Sequence, residues 1–362
     1  MVDSTGTSSG SNAAIRAVPH QNPYTDLARA VRASGLLERR YAYYASRVTL
    51  MVGLFALTWA TFALLGDSWA QLGVAVALGL VMTQFGFLGH DAAHQQVFAT
   101  RRANVWAARL LGGGFAGMSH GWWQAKHSKH HAAPNQEGRD PDIGPGALAF
   151  TAAIAGRRTT GFAGWFTRHQ GWLFFPLLTL EGLNLHRESV MALGRRGAAR
   201  AERVESGLVA LRLATYLGVV LWFLPLGLAL AFLAVQSAVF GLCLGASFAP
   251  SHKGMPIVPP DARIDFLRRQ VLMSRNVRGN PVLDAAMGGL NYQIEHHLFP
   301  TMPRPNLRAV RPLVRSSCRE HDVSYAETGL LESYGIVIDY LNHVGLRARG
   351  PFDCPLAASL RT

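Results

Sequence analysis

The chain has 362 residues, 49% hydrophobic and 16% charged, with a net charge of +13. Soluble domains carry about a quarter charged residues, so this balance argues against an ordinary soluble enzyme and allows one large domain or two smaller ones. Cys243, Cys318 and Cys354 lie far apart with no Cys-x-x-Cys pattern, which suggests neither a disulfide framework nor a zinc ribbon.

Residues 1–25 are rich in Ser, Gly, Asn and Thr and read as a disordered N-terminal tail. No apolar core follows the start, so no secretory signal peptide is expected. Arg39-Arg40 imitates a twin-arginine signal only weakly and reads better as the flank of a first span. Four apolar runs then reach bilayer length, roughly 20 residues: 48–66, 69–88, 207–224 and 226–248, with Arg212 the single charge inside them. Gly66-Asp67-Ser68 joins the first two and Leu224-Pro225-Leu226-Gly227 the last two. Connections this short force antiparallel hairpins. Between the pairs, the stretch 162–185 is apolar and aromatic but carries Arg168, His169 and Glu181, and it reads as an interfacial helix rather than a fifth span. Residues 26–345 form one membrane domain in this reading, and 346–362 a C-terminal tail.

Six Lys and Arg residues precede the first span, fourteen lie in 90–206 and fourteen follow residue 248. By the positive-inside rule both termini and the central segment face the cytoplasm, in a multi-pass protein of the cell membrane. This distribution explains the basic balance without nucleic acid, and no RNA- or DNA-binding motif is present.

Seven histidines sit in three clusters: His90-Asp91-Ala92-Ala93-His94, His127-Ser128-Lys129-His130-His131 and Gln293-Ile294-Glu295-His296-His297. Residues three or four apart share one face of a helix. Three such faces aimed at one spot make a nitrogen-rich cage, and the topology above puts all three on the same side of the membrane. His252, just past the last span, lies on that side too. Imidazole suits Zn, Cu, Fe and Ni, but one zinc ion needs three or four ligands. Seven or eight histidines exceed that and fit two metals. Carboxylates are expected to orient the imidazoles: Asp91 and Glu295 lie inside the clusters, and Glu137, Asp140 and Asp142 follow the second.

Two further patterns carry less. Gly112-Gly113-Gly114-Phe115-Ala116-Gly117 fits the dinucleotide fingerprint, but no strand precedes it, and a glycine-rich loop is the expectation. Gly117-Met118-Ser119-His120-Gly121 fits the nucleophile elbow, which needs a strand, a turn and a helix in a parallel sheet. The chain shows no alternation of strands and helices.

His-x-x-x-His, His-x-x-His-His and Gln-x-x-His-His, in that order around two apolar hairpins, resemble the membrane fatty acid desaturases. Asn291-Tyr292-Gln293-Ile294-Glu295-His296-His297-Leu298-Phe299-Pro300 is similar to the acyl-lipid and front-end branch. The resemblance covers roughly residues 40–330. It implies an all-α integral membrane fold, with four transmembrane helices in two hairpins and a cytoplasmic helical cap holding a di-iron site. It also implies His90, His94, His127, His130, His131, His252, His296 and His297 as ligands, and O2-dependent insertion of a double bond into a fatty acyl chain. Gln293 stands where many desaturases have histidine, so it is expected beside the ligands rather than among them. Trp122 and Trp123 are candidates to line an acyl tunnel, or else interface anchors. Many front-end members carry a fused cytochrome b5 domain with His-Pro-Gly-Gly, a motif not found in these residues. The expected donor is therefore a separate acidic carrier, a ferredoxin with its reductase. A di-iron lipid hydroxylase or other oxygenase would share the cage. A non-catalytic metal-binding protein such as a transporter would need ionisable groups inside the spans, which are almost bare of them.

Overall fold

The computed structural model describes residues 22–193 and 200–346. Both expected tails fall largely outside these residues. The first helix, α1 (Pro23–Ala33), nevertheless begins inside the stretch read as tail. Asn22 caps it by accepting from the Tyr24 N–H, and Pro23 presets the first turn. Its fully buried residues are Leu27 and Val31, with Tyr24 and Ala28 packed beside them, too few apolar positions to stand out in a polar stretch.

After α1 come α2 (Tyr41–Leu65), α3 (Gln71–Ala93) and α4 (Arg101–Ala108), which runs into a π-helical turn at Arg109–Phe115. α5 (His120–Ala132), α6 (Ala152–Ala155), α7 (Gly161–Leu178) and α8 (Glu181–Leu193) precede two long helices, α9 (Arg200–Phe223) and α10 (Leu226–His252). The last third holds α11 (Phe266–Leu272), α12 (Pro281–Ala286), α13 (Gln293–Leu298), α14 (Arg304–Glu320) and α15 (Leu330–Leu346). Two-residue strands β1 (Asn276–Val277) and β2 (Glu327–Thr328) pair in parallel, a small exception to the all-α expectation.

α2, α3, α9 from Glu202 and α10 are each long and apolar enough to cross a membrane. They overrun the apolar stretches that announce them. α2 starts at Tyr41 rather than 48, and the buried Tyr44 in its first turns donates to Gln96 Oε1 at 3.0 Å. α10 continues through Pro250 to His252, so His252 ends the helix instead of lying past it. A proline inside a helix leaves the carbonyl four residues earlier without its donor. Here the Tyr334 hydroxyl supplies it, 3.0 Å from the Ala246 oxygen. The stretch expected as one interfacial helix is two, α7 and α8, with a break at residues 179–180. Phe162, Trp165 and Trp172 on α7 are exposed.

The glycine-rich stretch is the wide π-helical turn and not a loop. Its reason is a close approach: a Cβ on Gly89 of α3 would lie 3.1 Å from the Gly112 nitrogen. Glycine on both sides lets this turn press against α3 one residue before His90. One core cluster, with Leu78, Met82, Phe85, Phe232 and Phe240, joins α3 to α10. A second, with Leu267, Val271, Ile294, Leu298 and Val314, holds α11, α13 and α14 together. Between them these clusters fix α3, α10 and α13, three of the four helices that carry the histidines.

Candidate metal centre

The C-terminal end of α3 presents His90 and His94, α5 presents His127, His130 and His131, α10 ends on His252, and α13 carries His296 and His297. Seven of these eight fall into two groups whose ligand atoms lie within 4.8 Å of one another: His90, His94, His127 and His296, and His130, His252 and His297. His131 lies between the groups. Its Nε2 is 2.9 Å from His127 Nε2, and its ring stacks on His297 at 4.2 Å.

In the second group each ring is held by its far nitrogen. His130 Nδ1 donates to Asp140 Oδ2 at 3.0 Å, His252 Nδ1 to the Met273 carbonyl at 3.0 Å, and His297 Nδ1 to Gln270 Oε1 at 2.9 Å. Gln270 is oriented by its own amide N–H, which donates to the His131 carbonyl. Three acceptor-only partners fix three tautomers, and every Nε2 is left as a bare lone pair. His130 Nε2 and His252 Nε2 then face each other at 3.3 Å. Gln293 donates to His252 Nε2 at 2.9 Å and leaves its own oxygen buried without a partner. A half turn of the amide exchanges those two atoms.

The first group is equally crowded, with His94 Nε2 2.8 Å from His127 Nε2. Both ring nitrogens of His90 and the Nε2 atoms of His296 and His297 are buried without hydrogen-bond partners. Orphaned buried nitrogens are costly, and a cation in each group would take up one nitrogen from each of these rings. Burial, reinforced by the neighbouring imidazoles, holds His94, His127, His131, His296 and His297 well below the ordinary histidine value. At neutral pH these rings are uncharged and free to ligate. The donor set thus fits two nitrogen-bound metal ions.

The supporting residues match expectation unevenly. Asp140 holds His130, and Asp142 lies 3.5 Å from the same nitrogen. Burial alone would raise the Asp140 carboxyl, but the hydrogen bond from His130 outweighs it and lowers it. Asp91 lies 3.6 Å from His90 Nδ1 and is paired with Arg304 at 2.6 Å. Among the described residues, the Glu295 carboxylate bonds to no histidine ring. It is fully buried and accepts from Asn276 at 2.7 Å and Tyr325 at 2.6 Å, anchoring α13 to β1 and the loop before β2. Glu137 has no bond to a histidine ring among the described residues, and its N–H donates to the Val258 carbonyl. Trp123 stacks on His127 at 4.2 Å and meets His90 edge-on at 5.3 Å. No such ring contact joins Trp122 to the histidines among the described residues.

Gln270, Met273, Asn276, Tyr325 and Arg304 belong to this shell and had no motif to announce them. Ser119, the middle of the elbow pattern, caps α5: it accepts from the Trp122 N–H and donates to Glu205 at 2.7 Å. Glu205 also accepts from the Gly121 N–H at 2.8 Å and from Arg109 at 3.1 Å. A buried ion pair thus pins the start of the helix that carries three histidines.

The fatty acid desaturase family model matches residues 67–329. Similar curated proteins include an acyl-lipid (9-3)-desaturase of Physcomitrium patens, 32% identical over 83% of this chain and 58% of its own length. A Delta(8)-fatty-acid desaturase of Arabidopsis thaliana is 30% identical over 78% of the chain and 65% of its own. A Delta(5) fatty acid desaturase of Caenorhabditis elegans is 30% identical over 89% and 73%. The chain spans about three-fifths of the length of the first two.

Proposed function

Because the chain belongs to the fatty acid desaturase family, we propose that it is a membrane enzyme that inserts a double bond into a fatty acyl chain at a di-iron centre. The observation that carries this reading is the convergence of the histidines, delivered by four helices into two buried groups. The net reaction consumes the acyl –CH2–CH2– unit, O2, two electrons and two protons, and yields –CH=CH– and two waters. Iron, when bound, supplies what side chains cannot: O2 activation and oxidation of an unactivated C–H bond.

The chain's own part is to hold and to exclude. His90, His94, His127 and His296 would hold one ion, and His130, His252 and His297 the other. His131 stands within reach of both. Asp140, Met273 and Gln270 fix the second group's rings so that their lone pairs point inward. Trp123 covers the first group and, with the buried faces of α3 and α10, keeps water from the reacting carbons.

In this reading the four long helices form two hairpins, and the remaining helices cap the centre on the cytoplasmic side along with both termini. The Lys and Arg distribution supports that orientation. The first hairpin is also supported by Gln71, whose amide donates to the Phe62 and Gly66 carbonyls at 2.8 and 2.9 Å and closes the turn. Electrons come from a separate acidic carrier, a ferredoxin with its reductase, drawn to the basic face. Donor-dependent turnover should then slow as salt shortens the screening length below about 10 Å.

The deciding experiment follows a labelled acyl chain through turnover. An alkene is the expected product. An alcohol would turn the reading to hydroxylation at the same cage, and no oxidised product would leave a metal-binding protein without this activity.

A further inference from the structure

A helix leaves its last carbonyls without intrahelical donors, and α10 ends this way at buried Pro250, Ser251 and His252. Pro250 also removes one N–H from the last turns. A helix end so weakened is prone to fray, yet here it carries a candidate metal ligand. Each of its open carbonyls has found a donor elsewhere in the chain. Most of these donors come from two residues outside the histidine clusters, Arg275 and Asn135.

Arg275 lies two residues after Met273. Its Nη2 donates to the Pro250 carbonyl and, at 3.1 Å, to the Lys253 carbonyl. Its backbone N–H donates to the Ser251 carbonyl at 2.8 Å. Arg275 is 3% exposed, and no carboxylate pairs with it among the described residues. A buried cation without a carboxylate is costly. The partial negative charge at the end of α10 offsets that cost. The His252 carbonyl accepts from the Asn135 side-chain amide at 3.1 Å and from the Met255 N–H at 3.2 Å. Asn135 is buried and adopts φ 54, a left-handed conformation that asparagine tolerates better than most residues. Its backbone N–H donates at 2.7 Å to Asp140 Oδ2, the oxygen that also holds His130 Nδ1. One residue thus touches the supports of both His130 and His252.

We propose that Arg275 and Asn135 are positioning residues for the second metal: together they lock the end of α10 so that His252 Nε2 meets His130 and His297. The Met273 carbonyl sets the rotation of the His252 ring, and the two clamping residues set the backbone from which that ring projects. They act through His252 and not on substrate. The proposal rests on the reading of His130, His252 and His297 as a metal site. The first group draws its ligands from α3, α5 and α13 and does not depend on this helix end.

The test uses the full chain in detergent micelles, stripped of metal by a chelator and dialysed against iron(II) without O2. Wild type should take up about two irons per chain. Mössbauer spectra should separate the two environments, and Asp140→Asn, which acts on His130, identifies the signal of the second group. Arg275→Met should weaken that iron at least about tenfold, the scale of losing a group that supports a ligand, and leave the other iron unchanged. Asn135→Gly keeps the left-handed backbone and the N–H to Asp140 and removes only the amide. It should weaken the same iron, and it decides the matter if Arg275→Met does not fold. A general loosening of the fold would lower both affinities together. Equal weakening of both irons, or two unaffected irons in a folded variant, therefore overturns the proposal. A wild-type chain that takes up no iron overturns the metal reading and the clamp with it. A wild-type chain with two irons and insensitive variants overturns the clamp alone.

Discussion

His130 Nε2 and His252 Nε2 face each other at 3.3 Å, and each ring already donates its only proton, to Asp140 and to the Met273 carbonyl. Two lone pairs at that distance repel unless a cation lies between them. His252 reaches this position from the end of α10, outside the three clusters. His252→Ala should therefore behave like a cluster mutant, losing metal from the second group and nearly all turnover while still inserting in the membrane. Metal content and product formation measured on the same preparation check this. A variant with full metal and near-normal turnover would remove His252 from the ligand set.

Asp140 acts through His130 rather than on substrate. Asp140→Asn keeps the size of the side chain but weakens the charge-assisted bond that fixes the ring. Metal affinity should fall about 10- to 100-fold, with excess metal restoring part of the activity. A metal titration showing unchanged affinity contradicts this role.

Glu205→Leu should destabilise the protein by roughly 3–5 kcal/mol, because Arg109 is left buried without its partner and the start of α5 loses two of its hydrogen bonds. Thermal unfolding in micelles reads this as a lowered Tm. An unchanged Tm would mean that α5 is anchored by other contacts.

Gly288 adopts φ +61, and a Cβ there would lie 2.3 Å from the ring of Phe87. Gly288→Ala must move a fully buried ring that lies under the Arg304 guanidinium at 5.9 Å, at an expected cost of about 1–3 kcal/mol. Gly53, with nothing within 4 Å of its Cβ position, is the control: Gly53→Ala should leave Tm near the wild-type value.

Much of this architecture was legible because membranes and metals impose long apolar runs and short histidine spacings. The four spans follow from their apolar stretches, and the clusters from i, i+3 and i+4 repeats. What stayed hidden depends on distant partners. Nothing local tells that Tyr334 satisfies the carbonyl freed by Pro250, which is why α10 reaches His252. Gln270 and Met273 hold two rings from a stretch without any motif. Glu295 sits inside a cluster yet turns away from the imidazoles, because the helical spacing that brings His296 and His297 inward points their neighbour to Asn276 and Tyr325. The glycine run read as a loop because its reason, the approach of Gly89, lies on another helix.

The central claim is that the two histidine groups hold two irons, and metal stoichiometry of purified, active protein tests it most directly. The account predicts about two irons per chain, the number the donor set accommodates. One zinc ion per chain and no iron, in protein that still turns over, would contradict it.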